Sequence, residues 1–292
     1  MGYYGPRRFA HKGYQHVAPE NTLEAFKGAA ALGVEGIELD VNLSKDGEII
    51  VTHDSDMTRI TIGHPTHASI ARIRELPWKE VCAIEMPYAN HLFDDELPPH
   101  SDDEFMASMP RRFLGTESGS DYTTALAKDP RMGHLSRFLE VDEWLAESNA
   151  DLEIEIEVKV PGTMPRFEEI LKNSKNVDRY FLFSGSKAIV EEMTSYFDEH
   201  DSMPRVRRGA NIRFLTDEAK EWAVEQKLYE VGLNADAFGE DEMKWCKDKD
   251  IKVFANLGDY YAWYEKLVAL NPYGFKTNYP VAYTKWWEGH KK

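Results

Sequence analysis

GIELDVNLSKDGEIIVTHD, residues 36–54, decides how the chain folds. It holds two strand-like runs, GIELDV and EIIVTHD, separated only by a short polar connection around Lys45-Asp46-Gly47. A parallel crossover needs a dozen residues or more, so these runs pair as an antiparallel hairpin. Asp46-Gly47 reads as a two-residue turn, and with it the paired positions sum to 93. Asp40 is then expected opposite His53, with Cβ atoms about 5 Å apart. Glu38, two residues before Asp40, shares that face.

Around this hairpin the chain alternates between two periods. Extended runs stand at RFAHKG (8–13), GIELDV (36–41), IEIEVKV (154–160), YFLFSG (180–185), VRRGAN (206–211), YEVGLNADAF (229–238), KVFANL (252–257) and GFKTNY (274–279). Helical patterns lie between most of them, at 21–33, 141–148, 166–173, 188–200, 217–228, 241–250 and 261–270. In the first of these Asn21 is the expected N-cap, and Glu24, three residues later, completes a capping box. Eight strands with intervening helices predict an α/β fold, a TIM (β/α)8 barrel with a β-hairpin after strand 2. An open doubly wound sheet is the alternative. Residues 82–134 are polar, aperiodic and Pro-containing, which predicts an insertion over the C-terminal mouth of a single 1–292 domain. His64, His67, His91 and His100 lie in or near it and are expected to be solvated loop residues rather than metal ligands.

The net charge of −16 opposes nucleic acid and loose attachment to anionic membranes. An anionic substrate would need local cations to overcome this field. Cys82 and Cys246 form neither a disulfide framework nor a zinc pattern. No stretch approaches the ~20 apolar residues of a membrane span, and the opening MGYYGPRRFA has no apolar run of signal-peptide length. Pro6 stands where N-myristoylation needs Ser or Thr. A cytoplasmic location is the expectation; the oligomeric state is not legible.

LEIEIEVKV, residues 152–160, alternates strictly, with Ile154, Ile156 and Val158 on one face and Glu153, Glu155, Glu157 and Lys159 on the other. In isolation this is an amphipathic strand with one wet face. In a parallel barrel both faces are covered, so buried charges must be paired or hold a metal. Glu157 and Lys159 fall at the strand's C-terminal end, where barrel enzymes keep their sites. His11 in FAHKG, and Glu38 and Asp40 in GIELD, fall at the same end of strands one and two. Three converging carboxylates repel one another, and an all-oxygen set suits one hard divalent cation, Mg²⁺ or Ca²⁺. Lys12 and Lys159 are candidate phosphate contacts. His11 and His53 are candidates for acid–base work, one taking a proton from the nucleophile and the other giving one to the leaving alcohol. Phosphodiester cleavage needs such a set.

AHKGYQHVAPENTLEAF, GIELDVNLSKDGEIIVTHD and IEIEVK, in this order and spacing, resemble the glycerophosphodiester phosphodiesterase family. Its pattern is His-Arg-Gly with a Pro-Glu-Asn-Thr loop, Glu-Leu-Asp, a Lys-Asp-Gly turn, His-Asp and Glu-x-Lys. The likeness extends weakly to VFANL and FKTNYP. It implies a TIM barrel that uses Ca²⁺ or Mg²⁺ to hydrolyse glycerophosphodiesters to glycerol 3-phosphate and an alcohol. It also implies His11 and His53 as the acid–base pair, Glu38, Asp40 and Glu157 as metal ligands, and Lys159 as a phosphate contact. Two departures stand out. Lys12 replaces the usual arginine, keeping the charge without the bidentate fork. Asn278 stands where the family often has Asp, which bears on how the diol end of the substrate is held. Asn256, with Phe254, Tyr260 and Tyr261, is a candidate for lining the mouth. Two alternatives remain on the same barrel: a lysophospholipase D or cyclic-phosphate-forming phospholipase, and a non-catalytic binder of a phosphoryl ligand. A sugar isomerase with a carboxylate-bound metal would leave the hairpin His-Asp without a role.

Overall fold

A computed structural model of the chain describes residues 5–61, 72–88, 130–200 and 206–290. Strand β1 (Arg7–His11) leads to α1 (Leu23–Leu32), and β2 (Gly36–Leu43) turns back into β3 (Ile49–Val51). Two short helices follow, α2 (Thr58–Thr61) and α3 (Trp78–Val81). Next come β4 (Glu85–Pro87), β5 (Met132–His134) and β6 (Ser136–Arg137). From there helix and strand alternate: α4 (Phe138–Glu147), β7 (Glu153–Val158), α5 (Met164–Leu171), β8 (Tyr180–Ser184), α6 (Lys187–Glu199) and β9 (Arg207–Arg213). The alternation ends with α7 (Asp217–Glu225), β10 (Glu230–Asn234), α8 (Glu240–Asp248), β11 (Lys252–Asn256), α9 (Tyr261–Leu270), β12 (Gly274–Thr277) and α10 (Pro280–His290).

β1, β2 and β7 to β12 are parallel neighbours in chain order, and β1 pairs with both β2 and β12. The sheet therefore closes into an eight-stranded barrel with helices between strands, and the open-sheet alternative falls. Side-chain alternation sorts the residues as the sequence pattern predicts. Ile37, Leu39, Val41, Ile154, Ile156 and Val158 join the apolar layer shared with Phe26, Phe138 and Phe167 of the helices. Glu38, Asp40, Glu155 and Glu157 face the interior with Phe9, Phe181 and Phe254. Those three rings meet edge to face, Phe9 and Phe181 at 4.9 and 5.6 Å from Phe254, and fill part of the barrel.

β2 outruns its neighbour. β1 pairs only with Gly36–Glu38, and β3 takes Val41–Leu43, so the hairpin stands at the C-terminal rim. Its register differs from expectation by one residue: Val41 faces Val51, Asn42 faces Ile50 and Leu43 faces Ile49. The reason is the turn. Ser44 N–H donates to Glu48 O at 2.9 Å and Gly47 N–H donates to Ser44 O at 3.1 Å, with Gly47 left-handed at φ 83°. This is a three-residue connection, Lys45–Gly47, not a two-residue Asp-Gly turn. Asp40 accordingly lies level with Thr52, whose N–H donates to Asp40 O at 2.9 Å, and not opposite His53.

The α1 cap also differs from expectation. Thr22 is the N-cap, its Oγ1 accepting from Ala25 N–H at 3.2 Å, while Asn21 is left-handed at φ 58° and serves the site described below. The antiparallel β4–β5 pair forms the described feet of the 82–134 insertion. Gly133 lies against Pro19 of the β1–α1 loop, where an added Cβ would meet Pro19 Cγ at 3.1 Å. The rest of the insertion, with His64, His67, His91 and His100, lies outside the described residues. Among the described residues Cys82 is exposed, Cys246 is buried and both are free thiols, and no helix is long and apolar enough to cross a membrane.

The interior is filled so tightly that Gly36 has no room for a methyl group: a Cβ there would sit 2.3 Å from a Phe9 ring carbon. Gly36→Ala is expected to lower stability by about 2 kcal/mol through overpacking, read as a lowered denaturation midpoint in a urea titration. An unchanged midpoint would mean that the ring stack yields freely.

Candidate active site

The barrel mouth is organised from β1 outward. After His11 the backbone turns through two left-handed residues, Lys12 at φ 59° and Gly13 at φ 84°. Gly13 is pressed onto α1, where a Cβ would meet that of Ala25 at 2.8 Å. The turn leaves the His11 ring against the end of β12, with Nδ1 2.8 Å from Asn278 Oδ1. The Asn278 amide cannot turn round, because Nδ2 donates to Asp259 Oδ2 at 2.6 Å and its backbone N–H to Asp259 Oδ1 at 2.8 Å. Gln15 Nε2 also donates to Asn278 Oδ1, at 2.9 Å. Asn278 thus offers only an acceptor, so His11 Nδ1 carries the proton and Nε2 keeps the lone pair. Nε2 points to the carboxylates, 3.8 Å from Glu38 Oε2. Burial and the nearby Lys12 charge push the imidazole down to about 3, so the ring is neutral at ordinary pH. Burial pushes the Asp259 carboxyl up to about 6 against the hydrogen bonds it accepts from Asn278 and Thr277.

Glu38 and Asp40 of β2 and Glu157 of β7 present oxygens within 4.8 Å of one another. Asp40 and Glu157 are register partners, and so are Glu38 and Glu155. Asn21 clamps the first of these strands, its Nδ2 donating to Asp40 Oδ2 at 2.9 Å and its Oδ1 accepting from Asp40 N–H at 3.1 Å. Lys159 Nζ lies 2.9 Å from Asp40 Oδ1 and 2.8 Å from Glu157 Oε2. Burial opposes the charge of Asp40, but Lys12 and Lys159 outweigh it and hold the carboxyl below the usual range. Glu38 moves the other way, well upward, because it is buried and faces Asp40. Among the described residues no lysine lies within ion-pair distance of Glu38, and the charge of Lys276 offsets its burial only in part. The donors are hard oxygens, and their spacing fits ligands placed about 2.0–2.6 Å from a common centre. The set fits one divalent ion.

His53 reaches the mouth by a different route from the expected one. It follows Thr52 beyond the end of β3 and is 42% exposed at the side chain, with Nδ1 2.7 Å from Asp54 Oδ1. Asp54 is held in turn by Arg59 Nε at 2.6 Å, and both Arg59 terminal nitrogens grip Glu20, at 2.7 and 2.6 Å. Glu20 Oε1 lies 3.3 Å from Lys12 Nζ, so one run of charges joins the β1 turn to the His53 loop.

The structure thus gathers His11, Lys12, Glu38, Asp40, Glu157, Lys159 and Asn278, with His53 at the rim. Asn278, expected to contact substrate, instead positions His11. Lys12 is 4% exposed and engaged with Glu20 rather than standing free. Asn256 stands apart, its Nδ2 donating to Asn211 Oδ1 at 3.0 Å in a recess shared with Asn234 and Asp259. Sequence reasoning missed Gln15, Glu20, Asn21, Arg59 and Asp259. Asn21 carried a signal, a polar residue before a helix, but one that points equally well to a cap.

Comparison with protein families matches residues 11–248 to the Glycerophosphoryl diester phosphodiesterase family. The chain belongs to this family. Among curated members, a glycerophosphodiester phosphodiesterase of Caldanaerobacter subterraneus is 54% identical over 54 residues, 18% of this chain and 22% of that protein. Glycerophosphodiester phosphodiesterase 1 of Rattus norvegicus is 38% identical over 89 residues, 30% of this chain and 25% of that protein. A Rattus norvegicus lysophospholipase D is 33% identical over 82 residues, 28% of this chain and 26% of that protein. The chain thus spans about a quarter of the length of the curated relatives it matches. Solved structures share the family fold end to end. A phosphodiesterase of Oleispira antarctica, in complex with the product sn-glycerol-3-phosphate, superposes with a TM-score of 0.69 at 19% identity, covering 96% of each chain. A Thermotoga maritima glycerophosphodiester phosphodiesterase gives 0.61 at 21% identity, covering 98% of this chain and 100% of that one.

The Asp259–Asn278–His11 chain fixes a proton. Long-range ¹H–¹⁵N NMR should find His11 protonated on Nδ1 alone. Asp259→Asn offers Asn278 a donor where it now has an acceptor, which favours turning its amide and moves proton population to Nε2. An unchanged tautomer in that variant would show that Asn278 is held by something else.

Proposed function

We propose that the barrel, as one unit with its insertion, hydrolyses glycerophosphodiesters to glycerol 3-phosphate and an alcohol, with a bound divalent cation. The observation that carries this is a neutral His11 whose unprotonated Nε2 faces the oxygen cluster of Glu38, Asp40 and Glu157. Family membership and the relatives' names support the reaction class.

Held by Glu38, Asp40 and Glu157, Mg²⁺ or Ca²⁺ would supply Lewis-acid neutralisation of the phosphoryl charge. His11 Nε2 takes the proton of the attacking water, and the Nδ1–H bond to Asn278 stabilises the imidazolium that results. His53, exposed at the rim and paired with Asp54, gives a proton to the departing alcohol oxygen. Lys159, fixed between Asp40 and Glu157, and Lys12, held by Glu20, supply positive charge to the phosphoryl oxygens in a chain whose net charge is −16. The lysophospholipase D reading uses the same residues on an acylated substrate and is favoured by the lysophospholipase D relative. Substrate attack through its own hydroxyl, giving a cyclic phosphate, uses the same base.

The test is release of glycerol 3-phosphate from glycerophosphocholine and glycerophosphoethanolamine with Mg²⁺, Ca²⁺ or EDTA, for the wild type and His11→Ala. Release that requires the ion and falls roughly 10²–10⁴-fold in the variant is expected. Release from lysolipids alone would select the second reading; no turnover of either would leave a phosphoryl-binding barrel.

A further inference from the structure

The structure assigns the groove beside Glu157 as a subsite for the alcohol half of the substrate, selective for an alcohol that itself carries an anionic group, a phosphate or a carboxylate. This rests on the phosphodiesterase function proposed above.

The groove opens at the C-terminal ends of β7, β8 and β9, encloses about 620 Å³ and is lined by Glu157, Ser184, Lys187, Arg213, Phe214 and Trp222 among others. It therefore begins at a candidate metal ligand and runs outward along the mouth. Its far end is shaped by a β-bulge. β9 and β10 pair Asn211 with Gly232, then Arg213 with Leu233, leaving Ile212 as an extra residue. Bulges at barrel rims re-aim side chains. Here Arg213 follows in the left-handed region at φ 66°, a conformation costly for a side chain of this size, and Phe214 next to it is 58% exposed. The left-handed conformation is held by a tight turn in which Phe214 N–H donates to Ile212 O at 2.9 Å, and among the described residues the Arg213 side chain meets no carboxylate within ion-pair distance.

Lys187, at the start of α6, is the second cation. Among the described residues its ammonium has no carboxylate partner either and lies 5.1 Å from the centre of the Trp222 ring. The ring is itself held by Trp222 Nε1 donating to Glu191 at 3.1 Å. Of the carboxylates in the groove, Glu157 is already bound by Lys159 at 2.8 Å, which leaves Glu218 against two cations. In a chain of net charge −16, two cations that line one groove without a carboxylate partner among the described residues are a local source of positive charge. A guanidinium and an ammonium lining one groove with an indole ring suit a phosphate or carboxylate on an organic stem.

A second recess, lined from the ends of β10 and β11, has the opposite chemistry. It encloses about 250 Å³ and is lined by Asn234, Asp236, Asn256, Asp259, Tyr260 and Trp263, with no cation among its lining residues. Amides and carboxylates there match hydroxyl groups, and an anionic alcohol would be repelled. By size and charge the anion belongs in the larger groove.

The experiment compares kcat/KM for three diesters: glycerophosphocholine, with a cationic alcohol; glycerophosphoserine, with a carboxylate; and a glycerophosphoinositol phosphate, with a second phosphate. Variants are Lys187→Gln and Arg213→Asn, the latter chosen because Asn tolerates a positive φ; a thermal melt of each checks folding. The wild type should prefer one or both anionic diesters, and each variant should lose roughly tenfold on the preferred one, mainly in KM, while glycerophosphocholine is unchanged or improved. Preference for the inositol phosphate alone identifies a phosphate site, and preference for the serine diester alone a carboxylate site. Equal losses on all three, or none, with the wild type active, would overturn the subsite and leave the phosphodiesterase reading standing. Inactivity of the wild type on every diester would overturn both.

Discussion

Negative charge enclosed in a closed barrel is the constraint on which the rest of this structure depends. Glu38, Asp40, Glu155 and Glu157 come from two adjacent strands, and backbone pairing forbids them to separate. Each must be neutralised by a cation or take up a proton. Lys159 serves Asp40 and Glu157, and Lys276 serves Glu155 at 2.7 Å. Glu38 has no lysine within ion-pair distance among the described residues, and burial with the neighbouring Asp40 raises its proton affinity against the pull of Lys276. The same economy explains why the lysines here are buried. Lys12 and Lys276 are 4% and 3% exposed, and each is held by a glutamate, Glu20 and Glu155.

Period-two and period-3.6 patterns made the barrel legible, because a strand covered on both sides and a helix covered on one leave different spacings of apolar residues. Each of the eight extended runs contains one barrel strand. The carboxylate cluster was legible for the same reason: strict alternation in 152–160 assigns Glu157 to the interior whatever the neighbouring strands do. What failed was whatever depended on a single residue of turn geometry. Gly47, left-handed at φ 83°, lengthens the hairpin loop by one residue, and that single step moves Asp40 from His53 to Thr52. Asn21 was misplaced by a similar ambiguity, since a side chain able to cap a helix can equally clamp a strand.

The supporting residues were illegible for another reason. Asp259 lies in a short loop with no periodicity, and its role exists only through Asn278, nineteen residues on, and His11 at the opposite end of the chain. Arg59, which holds Asp54, reaches Glu20 across thirty-nine positions. Contacts of this kind arise from barrel closure, which local pattern does not encode. They also recast the two departures from the family pattern. Asn278 is a neutral acceptor at His11, where an aspartate would present a charge. Lys12 is held by Glu20 deep in the β1 turn.

Because β1 pairs with β12, the strand of the barrel made first lies beside the one made last, and the bond that sets the His11 tautomer joins their ends. No nascent chain that stops short of residue 278 can contain it. Folding that proceeds from the N-terminus brings the carboxylates of β2 and β7 together before it fixes the His11 ring. The surroundings of His11 are therefore completed only when the last barrel strand has been made.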